Sequence, residues 1–320
     1  MKVNEQSRNE YHKRISSAMD YIQLNIHKNL CLENVAKAAH LSPFHFHKVF
    51  KLVVGETVAD FIRRIKLERA AGLFFYQKKI SITDTAMELG FSSSQNLAKS
   101  FKQHFNLTPT AIKTLTSKEE LKNLIEQNRK NGNNLSKNGN DTGSDNTYST
   151  VSTPSTLETK TLGAETLKLI ISEFEARQVI YKRLIGEYGV GVQEAFAELH
   201  KFVTARQMLI SEPIYIIWDN PEITPAEKCR TDICITLREA ISEVAPYNTQ
   251  TISAGRYAYI RTIIKQENEY GEAWEQLFSQ ILDSGYQPEE KPCFKILHDE
   301  KSDPQHGVFE ISFCAAVKPL

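Results

Sequence analysis

Two stretches in the first 115 residues follow one pattern, and that repeat constrains the fold more than any other feature of the chain. LENVA from Leu32 leads to Leu41 and Ser42 and on to Phe46, Lys48 and Phe50; ITDTA from Ile82 leads to Phe91 and Ser92 and on to Leu97, Lys99 and Phe101. An alanine five residues before an apolar-Ser pair lets two helices cross closely, and the apolar positions that follow pin the second helix on the first. Each stretch therefore predicts a helix-turn-helix unit. Two such units in one chain point to a reader of duplex DNA.

The residues around the units complete an all-helical lobe. Ile15, Met19, Ile22 and Ile26 recur at four, three and four, one face of a helix that packs on the first unit. Val58, Phe61, Ile62 and Ile65 mark the inner side of a long helix connecting the units. Ser81 with Asp84 forms a capping pair at the start of the second unit, whereas Cys31 and Asn34 give the first a weaker start. At the inter-helix turn the second unit has Gly90, which takes a positive φ freely; the first has His40, which takes it at a cost.

Composition divides the chain. At 320 residues, 41% of them hydrophobic, two ordinary cores are expected. The tract from Asn128 to Ser155 is dense in Asn, Gly, Ser and Thr and too poor in large apolar residues to offset its ordering entropy. The boundaries predicted are 1–127 for the helical lobe, 128–160 for a flexible polar linker and 161–320 for a second lobe, with the lobes moving independently. The net charge of zero conceals a split: residues 1–117 carry +8 and residues 161–320 carry −8. A basic end and an acidic end suit a protein that holds a polyanion at one end only. The five scattered cysteines form no Cys-x-x-Cys pair, and no apolar run resembles a signal peptide or a membrane span, so a reduced, cytoplasmic protein is expected.

SPFHFHKVFK from Ser42, GETVADFIRRIKLERAA from Gly55 and GFSSSQNLAKSFKQHFNLTP from Gly90 resemble the AraC/XylS family of bacterial transcription regulators. Asn106 departs from the family's usual glycine, but asparagine also tolerates the left-handed turn. The resemblance implies that each unit lays its second helix in the major groove. The first would present Phe44, His47 and Lys48, and the second Ser94, Gln95, Asn96 and Lys99. Gln and Asn can bond an adenine edge, and Lys can reach guanine acceptors or phosphate. RNA polymerase is a partner implied by the same resemblance. Arg63, Arg64, Lys66 and Arg69 on the connecting helix read as solvated charge ahead of phosphate contacts. His45 and His47 point apart on a helix and gather no ligand set, so no metal is expected; His45 reads as a packing or capping residue.

Beyond the linker, strand-like runs alternate with amphipathic helices: strands at 178–184, 213–218, 231–237, 256–264, 292–297 and 308–316, helices at 192–209 and 272–282. The order predicts an α+β lobe of two β-α-β-β repeats around a ligand cleft. IYIIWDNPEITPAEKCRTDICIT from Ile214, AGRYAYI from Ala254 and DSGYQPEEKPCFKIL from Asp283 resemble the GyrI-like ligand-binding domain of multidrug-sensing regulators. Matching Ile216 and Trp218 to Lys295 and Leu297 on the repeat strand predicts that these four share the pocket face, with Tyr257, Tyr259 and Trp274 as aromatic walls. The resemblance implies an acidic residue and a tyrosine where this chain has Lys295 and Leu297, so the expected effector is neutral or acidic. The chain has no nucleophile elbow, no His-Glu-x-x-His and no phosphate loop, which disfavours an enzyme and a bound cofactor. Gly186, Gly189 and Gly191 read as a strand-to-helix turn.

Overall fold

The computed structural model describes residues 5–28, 30–135, 167–239, 241, 244–289 and 291–320. The first lobe comprises α1 (Glu5–Leu24), α2 (Leu32–Ala38), α3 (Pro43–Val54), α4 (Val58–Tyr76), α5 (Ile82–Glu88), α6 (Ser94–Phe105), α7 (Pro109–Thr114) and α8 (Lys118–Leu135). The pairs α2–α3 and α5–α6 are the two predicted units, and α4 bridges them. Ile15, Met19, Ile22 and Ile26 are buried with Phe46, Phe50 and Phe61 in the first core, while Phe74, Leu97, Phe101 and Phe105 build the second. Ser81 caps α5 by accepting from the Asp84 N–H, whereas Cys31 makes no side-chain cap on α2. Asn106 closes α6 in the left-handed region at φ 56°.

The second lobe begins with β1 (Ile170–Phe174), β2 (Arg177–Ile185), α9 (Val192–Ala205), β3 (Ile210–Ile217) and β4 (Arg230–Leu237). It continues with β5 (Asn248–Ile252), β6 (Gly255–Ile264), α10 (Asn268–Asp283), β7 (Tyr286–Pro288), β8 (Cys293–Asp303) and β9 (Val308–Pro319). The strands form one curled antiparallel sheet in the order β1-β6-β9-β8-β3-β4-β2-β5, with β7 attached to β9. The two repeats, β2-α9-β3-β4 and β6-α10-β8-β9, meet at the β3–β8 seam, and each outer edge is completed by the short strand leading into the other repeat. Gly191, at φ 74°, starts α9, as the glycine-rich turn predicts.

Both helices cover the same face of this sheet. α9 packs on Ile180, Ile235 and Leu237, and α10 on Ala258, Ile260, Phe313 and Ala315. The opposite face carries a second continuous core of Val179, Tyr181, Ile214, Ile216, Cys234, Tyr257, Phe294 and Cys314.

The two lobes are in contact, which the composition of the polar tract did not lead one to expect. Ile223, in the loop between β3 and β4, is buried in the second helical core, and Tyr76 stacks on Phe278 of α10. α8 extends through Leu135, past the predicted start of the linker, and Arg129 donates to the Ile223 carbonyl. The rest of the predicted linker, 136–160, lies outside the described residues. No described helix is long and apolar enough to cross a membrane.

Candidate DNA-reading and effector-binding sites

α3 and α6 are amphipathic for a visible reason. Phe46, Val49 and Phe50 on α3, and Leu97, Phe101 and Phe105 on α6, occupy the core, so the remaining positions must face outward. Phe44, His47, Lys48, Gln95, Asn96 and Lys99 are all exposed, and Ser94 is half-buried at the start of α6. Phe44 is 73% exposed, with the Lys48 ammonium 4.2 Å from its ring centre. Asn96 is less free than its neighbours, since its amide donates to Ser92 Oγ at 2.9 Å. His45 packs edge-on against Tyr11, with a 3.3 Å contact to the phenol oxygen, in keeping with a packing role. Among the described residues no group of His, Cys, Asp and Glu could hold a metal ion.

The connecting helix departs from its sequence reading. Arg63 is exposed, but Arg64 is buried between Glu56 and Glu68, at 2.7 and 2.9 Å. Lys66 is buried, and that burial lowers its pKa; Arg69 is half-buried. These side chains fix α4 within the molecule instead of forming a solvated charged face. Glu68 also accepts from Thr224 Oγ1 at 2.9 Å, and Glu56 from Lys228 at 3.3 Å, so the α4 network reaches the second lobe.

On the second lobe the predicted pocket residues separate onto two faces. Ile216 is buried on the helix-free face, with half-buried Trp218 just beyond the end of β3; Tyr257 and Tyr259 from β6 share that face. Lys295 and Leu297 do not. Ile216 pairs with Phe294, and Lys295 pairs with Tyr215, so Lys295 and Leu297 point toward α10. Trp274 belongs to α10 itself and meets Phe313 edge-on at 5.0 Å. The sequence match between the repeats was odd by one residue, and on a strand such a slip moves every side chain to the other face. The residues that actually join Ile216 are Phe294 and Ile296.

Lys295 is half-buried between the Tyr270 ring, 4.5 Å away, and the Tyr215 ring, 5.7 Å away, and desolvation pushes its pKa down to about 8. It lies on the α10 side of the sheet, away from Ile216, Trp218, Tyr257 and Tyr259, with which it was expected to share a face.

Sequence reasoning also missed a polar cluster on the helix-free face. Asp232, fully buried on β4, accepts from Arg183 Nε and Nη2 at 2.6 and 2.7 Å, from the Trp218 indole N–H at 2.8 Å and from Gln250 at 2.7 Å. Beside it, Asp219 holds Arg230 through both guanidinium and backbone N–H groups, fixing the loop that carries Asn220, Ile223 and Thr224 into the helical lobe. The available signal was a charge in step with apolar residues on one face of a strand, Arg183 alternating with Val179 and Tyr181, and Asp232 with Cys234.

Comparison with known proteins agrees with both halves. Residues 35–114 match a helix-turn-helix domain family, and residues 168–313 match the GyrI-like small molecule binding domain. A DNA gyrase inhibitor of Citrobacter rodentium is 30% identical over 157 residues, which span 47% of this chain and 96% of that protein. An uncharacterised HTH-type transcriptional regulator of Bacillus subtilis, YbfP, is 31% identical over 114 residues, 34% of this chain and 38% of its own. Among solved structures, an AraC-type DNA-binding regulator from Chromobacterium violaceum is 25% identical and covers 31% of this chain and 88% of its own, with a TM-score of 0.30. The chain joins an AraC-type helix-turn-helix DNA-binding domain at its N-terminal end to a GyrI-like small-molecule-binding domain at its C-terminal end, the architecture of a transcription regulator with an effector-binding domain.

Proposed function

We propose that α3 and α6 read successive major grooves on one face of a duplex, and that a small molecule bound on the helix-free face of the sheet controls this reading. The observation that carries the proposal is the pair of outward-facing helices whose exposed positions hold Phe44, His47 and Lys48 on one and Gln95, Asn96 and Lys99 on the other. Gln95 and Asn96 suit adenine edges, and Lys48 and Lys99 suit guanine or phosphate. Grooves about 34 Å apart imply an asymmetric site of roughly 20 base pairs for a single chain. The effector face is Ile216, Trp218, Tyr257 and Tyr259, to which Phe294 and Ile296 are added; Trp274, Lys295 and Leu297 serve the α10 side. RNA polymerase is the further partner this architecture suggests. The domain pair favours a regulator over an enzyme.

The test is selection of a site from random duplexes by the full chain, followed by footprinting and titration at physiological salt. Gln95→Ala and Lys99→Ala should each cost about 1–3 kcal/mol on the selected site and far less on random DNA. Equal affinity for selected and random duplexes would refute the reading.

A further inference from the structure

The polar cluster on the helix-free face does not stop at the effector lobe. Besides holding Asp232, Arg183 Nη2 lies 2.8 Å from Asp20 Oδ1 on α1, and Nη1 lies 3.5 Å from the Ser16 carbonyl. Tyr181, two residues along β2 on the same face, donates its hydroxyl to the other Asp20 oxygen. Asn248, opposite Tyr181 on β5, donates its amide to the Lys13 carbonyl at 2.9 Å and toward the Tyr181 oxygen at 3.4 Å, which leaves the phenol proton free to point at Asp20. All these donors belong to the effector lobe; Tyr181 and Arg183 Nη2 face the Asp20 carboxylate of the DNA-reading lobe, and Asn248 and Arg183 Nη1 face backbone carbonyls of its α1.

The exposures are unequal in a telling way. The Arg183 side chain is 2% exposed and fixed by Asp232, whereas the Asp20 side chain is 24% exposed. Arg183 is the buried member of the pair and Asp20 the more exposed one, although Asp20 Oδ1, the oxygen that faces the guanidinium, is itself buried. Next to it lies the apolar floor of Tyr181, Ile216, Tyr257 and Phe294. A hydroxyl and a guanidinium converging on one carboxylate, beside an aromatic surface, suit an organic acid with an apolar body.

We propose that Tyr181 and Arg183 form a carboxylate seat in which Asp20 is a tethered occupant, and that an acidic effector with an aromatic or apolar body takes its place and lifts α1 off the effector lobe. The proposal rests on the helix-free face being the effector site. A tethered carboxylate acts at an effective concentration on the order of millimolar, so a free acid displaces it by adding contacts with the apolar floor.

Thermal unfolding of the full chain tests this without DNA. Benzoate is titrated into wild type, Asp20→Ala and Asp20→Asn at constant ionic strength, with benzamide as the uncharged control. Benzoate should raise the Tm of Asp20→Ala saturably, with half-saturation at least tenfold below that of wild type; benzamide should not. Asp20→Asn, which keeps the shape and loses the charge, should fall between the two, and adding Tyr181→Phe to Asp20→Ala should weaken the benzoate response several-fold. Identical benzoate responses in wild type and Asp20→Ala, or equal effects of benzoate and benzamide, would overturn the seat. If other ligands still stabilised the chain in a manner sensitive to Ile216 or Tyr257, the seat would fall while the effector face stood.

Discussion

Single residues fix the geometry of both reading units. Gly90 sits at φ 69°, and a Cβ there would lie 2.9 Å from the His27 carbonyl oxygen and 3.2 Å from Lys66 Nζ, so the position excludes a side chain on two counts. Gly90→Ala should destabilise the chain by about 1–3 kcal/mol, measured by denaturant unfolding. His40, at the matching turn of the first unit, holds φ 52° with a side chain in place. His40→Gly should be neutral to stabilising in the same assay, because relief of the left-handed strain offsets the added chain entropy. This contrast was legible in the sequence, since the two turns align by position and only one has glycine. Lys295 was not: its side-chain direction depends on strand register, which local alternation leaves free by one residue.

At the scale of elements, α4 does more than connect the two units. Its buried run of Arg64, Lys66 and Glu68 faces other protein, and Glu68 meets Thr224 of the effector lobe with Arg64 beside it. Burial pushes the Glu68 carboxyl up to about 7 against the attraction of Arg64, with Asp219 also raising it and Arg129 lowering it. A folded pKa above the unfolded one means that this group's contribution is fully present below about 4.5 and is lost as pH rises through about 7. Glu68→Gln should therefore flatten the fall in Tm between about pH 5 and pH 7.5, with little effect at the acid end of that window. An unchanged slope would mean that Glu68 titrates normally. Helix periodicity made α4 legible as a helix with Val58, Phe61 and Ile65 inside. It could not show that the other flanks are covered as well, because Glu68 meets Thr224, more than 150 positions away, and Lys66 lies against Lys28 and Phe91 of the two reading units.

The same limit appears across the whole molecule. The two repeats, their eight main elements and the family of each half are readable, because each rests on local periodicity or a contiguous motif. The short edge strands β1 and β5 were not, since each gains its strand character by pairing with the opposite repeat. The docking of the lobes was invisible for a related reason: a polar tract in sequence reports its own composition and says nothing about surfaces that meet elsewhere. Ile223 is 1% exposed in the helical core, so Ile223→Ala should cost about 2–5 kcal/mol in the stability of the docked arrangement. Proteolysis within the polar tract should leave two fragments that co-elute on size exclusion; fragments that separate at micromolar concentration would show the docked interface to be weak.

Docking joins a lobe of net charge −8 to the lobe of net charge +8 that carries the helix-turn-helix units, so the effector lobe offsets the overall attraction of the reading lobe for a polyanion. Release of the effector lobe should therefore tighten DNA binding, most strongly at low salt, where screening is weak. The most direct measurement is fluorescence anisotropy of a selected duplex titrated with wild type and with the double variant Asp20→Ala, Ile223→Asp, which removes the α1 contact and the buried anchor together. The Kd of the double variant should fall at least threefold below that of wild type, with the gap narrowing as salt is raised. An unchanged or weaker affinity, from a variant whose reading lobe retains its helical content, would contradict a regulator in which the docked effector lobe restrains DNA reading.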